Sequence, residues 1–135
     1  MAHRFDLRVY YSHTDAGGIV YHARYLDFAE HARTELFRHV AENQNSLSEM
    51  IKEKSVGFVV KSLNVEYHSP SYLDDQLYVL TTVKSSKRFS LTFLQQIFRD
   101  DLEIATLQVR VAAIDLKTQR PLLIESWLSE AIERL

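Results

Sequence analysis

The chain of 135 residues contains no cysteine. Disulfides, thiolate-bound metals and a thiol nucleophile are excluded together. Prolines number 2 and glycines 3, so no linker or flexible tract interrupts the sequence. No apolar run reaches the roughly 20 residues that span a bilayer. The N-terminal segment MAHRFDLRVYY mixes charged and apolar residues and lacks the continuous apolar stretch of a signal peptide. Neither sign of charge predominates: 18 acidic against 16 basic side chains leave a net −2, which argues against a general nucleic-acid or membrane-surface binder. What is present is ordinary globular material, 46% hydrophobic and 25% charged. The length fits one domain over residues 1–135, with the cytoplasm as its default location.

The hydrophobic pattern changes period along the chain. In RFDLRVYY, the residues Phe5, Leu7, Val9 and Tyr11 alternate with polar neighbours, which predicts a half-buried strand. From Tyr21 to Val40 the apolar residues Tyr25, Phe28, Ala29, Ala32 and Leu36 recur at three- and four-residue steps, the stripe of a long helix. Asp27, Glu30, Arg33 and Arg38 fall mainly on its other side. A weaker helical piece is predicted over SLSEMIKEK, with Ser46 or Ser48 as its cap. Beyond Gly57 come four strand-like segments rich in Val, Ile, Thr and aromatics, separated by short turn-forming stretches. Ser126 is placed to cap a short terminal helix. Connections this short require antiparallel neighbours, and a sheet with one apolar face requires a cover, which the long helix supplies. The predicted class is α+β.

Two of the glycines, Gly17 and Gly18, sit side by side between Asp15 and the long helix. Asp-Ala-Gly-Gly is good type I turn material, with Asp first and Gly fourth. The same residues also suit a ligand site, because glycines ahead of a helix let backbone N–H groups and the positive end of the helix dipole approach negative charge. A carboxylate on that loop can attack an acyl carbon or activate water while the helix terminus holds the oxyanion. The spacing leaves both readings open.

The whole stretch TDAGGIVYHARYLDFAEHARTE resembles the 4-hydroxybenzoyl-CoA thioesterase branch of the hot-dog superfamily. The likeness rests on Asp15, Gly18, Val20, Tyr21, His22 and Tyr25 at the spacing Asp-x-x-Gly-x-Val-Tyr-His-x-x-Tyr. RVYY, ARTELFR, GFVV, VEYHSP and LDD extend it over most of the chain, in the direction of bacterial acyl-CoA thioesterases associated with the Tol–Pal system. The resemblance implies an antiparallel sheet wrapped around a long central helix. It implies Asp15 as catalytic nucleophile or general base and the backbone N–H of His22 as the group polarising the thioester carbonyl. Gly18, Val20, Tyr21 and Tyr25 would line the substrate site, and Lys87 and Arg88 would meet the coenzyme A phosphates. Coenzyme A is then part of the substrate, no separate cofactor is needed, and the family assembles as a homo-oligomer, a dimer of dimers. One position departs from the pattern. The family usually carries an acid two residues before the catalytic Asp, where this chain has His13. A cationic His13 would favour ionised Asp15; a solvated strand-end histidine would do nothing to it.

Other residues point elsewhere less well. His22 and His31 lie nine positions apart, on opposite faces at about 100° per residue, and no Cys or His-x-x-x-His pattern supports a metal site. Glu30 is a minor candidate, since a separate hot-dog branch uses a helix glutamate. Lys87 and Arg88, within VKSSKRFS, also read as an ordinary charged turn. Tyr67 and His68 are assigned to packing. The preferred function is hydrolysis of an acyl-CoA thioester, with acyl carrier protein as a further carrier. The rivals are a non-catalytic acyl-CoA or acyl-carrier-protein binding module and a dehydratase on the same scaffold.

Overall fold

The computed structural model describes residues 2–41 and 55–135. The helix expected over SLSEMIKEK lies outside the described residues. Strand β1 is His3–Arg8, helix α1 is Arg24–Val40, and four strands follow: β2 Val56–Tyr67, β3 Gln76–Ser86, β4 Ser90–Arg99 and β5 Leu102–Asp115, before helix α2, Ser126–Glu133. The strands form one antiparallel sheet in the order β1-β3-β4-β5-β2. The α+β class expected from the pattern is the one observed.

Alternation decides which face is covered. On β4 the residues Leu91, Phe93, Gln95 and Ile97 are buried and their neighbours are not. Register carries the same face across the sheet, with Phe5 opposite Val79, Val79 opposite Ile97 and Ile97 opposite Ala105. Helix α1 lies on that face and buries Tyr25, Phe28, Ala29, Ala32, Leu36 and Phe37. This is the stripe read from the sequence, widened by Phe37, whose ring stacks on Phe58 at 4.7 Å. Ala29 and Ala32 have no exposed surface, and their small side chains let the helix backbone approach the sheet.

Three local expectations differ from the structure. The first strand stops at Arg8 rather than running to Tyr11. The Tyr10 N–H donates to His13 Nδ1 at 2.9 Å and the His13 N–H to Tyr10 O at 3.0 Å, which winds Tyr11–His13 into a 3₁₀ turn. Tyr11 is thereby left 81% exposed. Ser126 is the first residue of α2 and the cap position belongs to Glu125, whose carbonyl accepts from the Leu128 and Ser129 N–H groups. Arg33, assigned to the charged side of α1, instead lies half-buried over the sheet.

Arg33 is held there by a polar contact inside the apolar layer. Its guanidinium donates to Oε1 of the fully buried Gln95 at 2.9 Å. Gln95 Nε2 donates to Ala29 O at 2.9 Å and to Thr81 Oγ1 at 3.0 Å. Desolvation pushes the Arg33 guanidinium below its ordinary pKa. Every polar group of Gln95 is matched, so the cost of burying the amide is offset. Replacing Gln95 with leucine strands Arg33 and Thr81 and is expected to lower the unfolding free energy by about 1–3 kcal/mol. Urea titration of the two proteins measures this, and coincident midpoints would show that the network contributes no net stability.

Candidate active site

The paired glycines have two different jobs. Gly18 closes the turn, its N–H donating to Asp15 O at 3.0 Å, and sits at φ +80°, where any side chain is strained. Gly17 brings its N–H to Asp15 Oδ1 at 2.8 Å, and a Cβ at Gly17 would stand 3.1 Å from that oxygen. The turn reading is therefore correct as local geometry, and it also aims the carboxylate. Oδ1 is held by the loop's own backbone, while Oδ2 accepts no hydrogen bond among the described residues. The Asp15 N–H returns to Ile19 O at 3.0 Å, and bridges Thr14–Val20 and Ile19–Tyr72 tie the loop to its neighbours.

The helix begins immediately afterwards. The Arg24 N–H donates to Tyr21 O at 2.8 Å, and the Leu26 N–H to Ala23 O at 3.1 Å. Ala23 occupies the cap position and has no side chain to cap with. The backbone N–H of His22 makes no hydrogen bond among the described residues. A free donor at the positive end of a helix of 17 residues is suited to developing negative charge.

Asp15 and His22 both line one groove of ≈ 340 Å³, whose walls also include Ile19, Val20, Tyr25, Tyr67 and the segment 68–70. Tyr25 is buried and its hydroxyl meets Ser71 Oγ at 2.6 Å. Burial raises its pKa, which keeps the phenol neutral. Tyr67, its ring 5.7 Å from that of Tyr25, donates its hydroxyl to His22 O at 3.0 Å, and burial likewise raises its pKa. A larger groove of ≈ 520 Å³ lies between β1, β3 and the β4–β5 turn, away from the glycine loop, with the Arg4 guanidinium 3.9 Å from the centre of the Tyr78 ring.

The fold thus brings together Asp15, Val20, His22 and Tyr25 of the sequence-predicted residues, with Gly18 shaping the loop. Tyr21 lies outside the groove lining, its ring 4.5 Å from that of His22. Lys87 and Arg88 are not brought in. They occupy the β3–β4 turn beside Ser90, seven residues along β4 from Ile97, whose row leads through Ala105 to Tyr67. Seven residues of strand amount to about 23 Å. Glu30 is exposed on α1, its carboxylate accepting from Thr34 Oγ1 at 3.0 Å, and it does not line the groove. Among the described residues no three His, Asp or Glu side chains gather to hold a metal.

Sequence reasoning missed Tyr67 and Ser71. Tyr67 ends a strand that alternates Leu63, Val65 and Tyr67, a signal that marks it as facing one side without showing that the strand ends beside the helix terminus. Ser71 is fully buried and follows Pro70, and nothing local distinguishes it from a loop serine.

His13 does not act as a cation beside Asp15. Its Nδ1 accepts from the Tyr10 N–H and its ring packs edge-on to Phe28 at 4.9 Å. Burial, with Arg24 adding to it, lowers its pKa, so the imidazole is neutral at neutral pH.

A sequence profile of the thioesterase-like superfamily matches residues 9–132. The chain is 41% identical over 131 residues to the acyl-CoA thioesterase YbgC of Haemophilus influenzae, covering 97% of this chain and 94% of that protein. It is 40% identical over 119 residues to the acyl-CoA thioester hydrolase YbgC of Escherichia coli O6:H1, covering 87% and 86%. The crystal structure of a probable thioesterase from Bartonella henselae superposes with a TM-score of 0.85 at 27% identity, over 93% of this chain and 100% of that one.

The neutral His13 carries a consequence for stability. The unfolded chain, whose histidine titrates near 6.5, takes up this proton more readily than the folded state. Stability therefore falls as the pH drops below about 6.5. His13→Asn retains an acceptor for Tyr10 and removes the titration. The drop in melting temperature between pH 7.5 and pH 5.5 is expected to shrink in the variant, and an unchanged drop would refute the assignment.

Proposed function

The chain belongs to the thioesterase-like superfamily and has its hot-dog fold, and from that premise we propose that it hydrolyses acyl-CoA thioesters in the groove below the glycine loop. That it is a thioester hydrolase follows from the family and from curated relatives at about two-fifths identity. The residue roles are the proposal. The observation that carries them is that Asp15, on a turn, and His22, whose N–H is unpartnered at a helix terminus, line the same groove.

The thioester carbonyl oxygen would receive the His22 N–H, and the charge that grows on it as the carbon becomes tetrahedral would meet the positive end of α1. Asp15 Oδ2 then acts in one of two ways. As general base it takes a proton from water, the water oxygen bonds to the acyl carbon, and the C–S bond breaks with the proton passing to the thiolate. As nucleophile it bonds to the acyl carbon itself and expels the thiolate, and water hydrolyses the resulting anhydride. In both, carboxylate, water and backbone amide suffice, so neither a metal nor a separate cofactor is required. Val20, Tyr25 and Gly18 shape the acyl side of the site, and Tyr21 supports the His22 ring. Acyl carrier protein presents the same thioester and is a second carrier under this reading, with the cytoplasm as the location.

Lys87 and Arg88 stand about 23 Å of strand from the row that ends at their own groove, and their proposed contact with coenzyme A phosphates is placed across an interface with another copy. Strand β2, an edge of 12 residues with Val60 and Leu63 exposed, is the edge proposed to pair in that dimer, two of which form a homotetramer.

A thiol-release assay over a panel of acyl-CoAs tests the chemistry. Asp15→Asn keeps the size and the contact with Gly17 and is expected to lower kcat about a hundredfold, within the range for loss of an acid–base group. Full activity in that variant rules out the carboxylate. Wild-type protein that binds acyl-CoA without turnover makes the groove a ligand cradle instead. Lys87→Ala and Arg88→Ala are expected to raise KM for coenzyme A esters about tenfold with little change in kcat, and to leave KM for pantetheine thioesters, which lack the nucleotide, unmoved. Equal effects on both substrates would exclude phosphate recognition.

A further inference from the structure

The start of α1 poses a problem of backbone pairing. In a regular helix the His22 carbonyl would accept from the Leu26 N–H, four residues on. Here that N–H donates to Ala23 O at 3.1 Å, so the opening turn is tightened and the His22 carbonyl has no partner from the helix. Nor can the cap residue help, since it is an alanine. The His22–Ala23 peptide would then have no partner on its carbonyl, and it meets the preceding peptide, which carries the free His22 N–H, at the His22 Cα. A partner arrives from 45 residues away, the Tyr67 hydroxyl at 3.0 Å.

Tyr67 is itself well placed to hold still. It ends β2, where Tyr67 pairs with Ala105 of the buried face. Its ring meets His22 edge-on at 6.3 Å and Tyr25 at 5.7 Å. Tyr25 is tied to Ser71 through its hydroxyl, and the Ser71 carbonyl accepts from the Val20 N–H at 2.9 Å. The end of β2, the first turn of α1 and the loop carrying Asp15 are thus joined by three hydrogen bonds and two ring contacts.

We propose that Tyr67 is a positioning residue of this site: its hydroxyl holds the carbonyl of the His22–Ala23 peptide while the Arg24 N–H holds Tyr21 O on the preceding peptide, so that the His22 Cα between them, and with it the His22 N–H that receives the substrate oxyanion, is fixed from both sides. The catalytic part of this inference rests on the hydrolase reading given above. The structural part does not. The phenol's raised pKa keeps it a donor through neutral and mildly alkaline pH. Displacement of a reacting group by about 1 Å can cost about a hundredfold in rate, so partial loosening of the junction is expected to cost about tenfold.

The experiment compares wild type, Tyr67→Phe and Tyr67→Leu by steady-state kinetics, thermal melting and amide hydrogen exchange. In Tyr67→Phe, exchange at Arg24 and Leu26, the first bonded donors of α1, is expected to quicken at least about fivefold while amides in the middle of α1 stay unchanged. The kcat falls about tenfold, KM stays within about twofold, and the melting temperature is preserved. Unchanged exchange and kcat in Tyr67→Phe would overturn the proposal. So would loss of activity confined to Tyr67→Leu, which assigns the effect to ring packing. If wild-type protein shows no turnover, the hydrolase reading fails, and the exchange at Arg24 and Leu26 still decides whether the hydroxyl fixes the junction.

Discussion

The packing of α1 across the buried face of the sheet is the constraint from which the rest follows. Ala29 and Ala32 let the helix approach, and Phe28, Leu36 and Phe37 fill the space to either side. With the helix seated, its N-terminus can lie in only one place, beside the end of β2 and the loop after Pro70. Gln95 sharpens the seat by binding Ala29 O and Arg33 at once, so that sliding or rolling the helix would strand buried polar groups. An apolar stripe alone tolerates small shifts. A buried amide with every partner matched does not.

At the groove the scale of control changes from layers to single hydrogen bonds. The Asp15 loop is a turn closed by Gly18, with one carboxylate oxygen held by Gly17 and the other left open. Helix α1 starts without a capping side chain, and the His22 N–H is left without a partner among the described residues. Capping residues stabilise a helix start by satisfying such donors, so the uncapped start gives up that stabilisation and keeps the donor open beside the groove lining. The surrounding aromatic rings and the Tyr25–Ser71 contact keep the groove walls in place.

Much of the architecture was legible before any coordinates. The stripe from Tyr25 to Leu36, the alternation in the later strands and their short connections led to an antiparallel sheet covered by one helix. Asp15 and the glycine pair stood out because so few glycines occur in the chain. What misled was local and short-ranged. The alternation through Tyr11 continued a strand pattern that a backbone bond to His13 Nδ1 interrupts, and periodicity is blind to such a bond. Arg33 was given to solvent by its charge, yet a buried acceptor on β4 draws it inward.

The sequence by itself determined which faces are apolar, which segments are helix or strand, and that a carboxylate sits on a glycine turn ahead of a helix. These properties are set by side-chain periodicity and by the backbone freedom of individual residues, and both are local. The tertiary structure decided that Tyr67 lines the groove and Ser71 holds the Tyr25 hydroxyl, that His13 is a neutral acceptor, and that Lys87 and Arg88 stand far from their own groove. Each of these depends on which strand ends lie beside which helix end, over separations such as the 45 residues between His22 and Tyr67. Sheet order and register set that proximity, and neither is encoded in any single stretch of the chain.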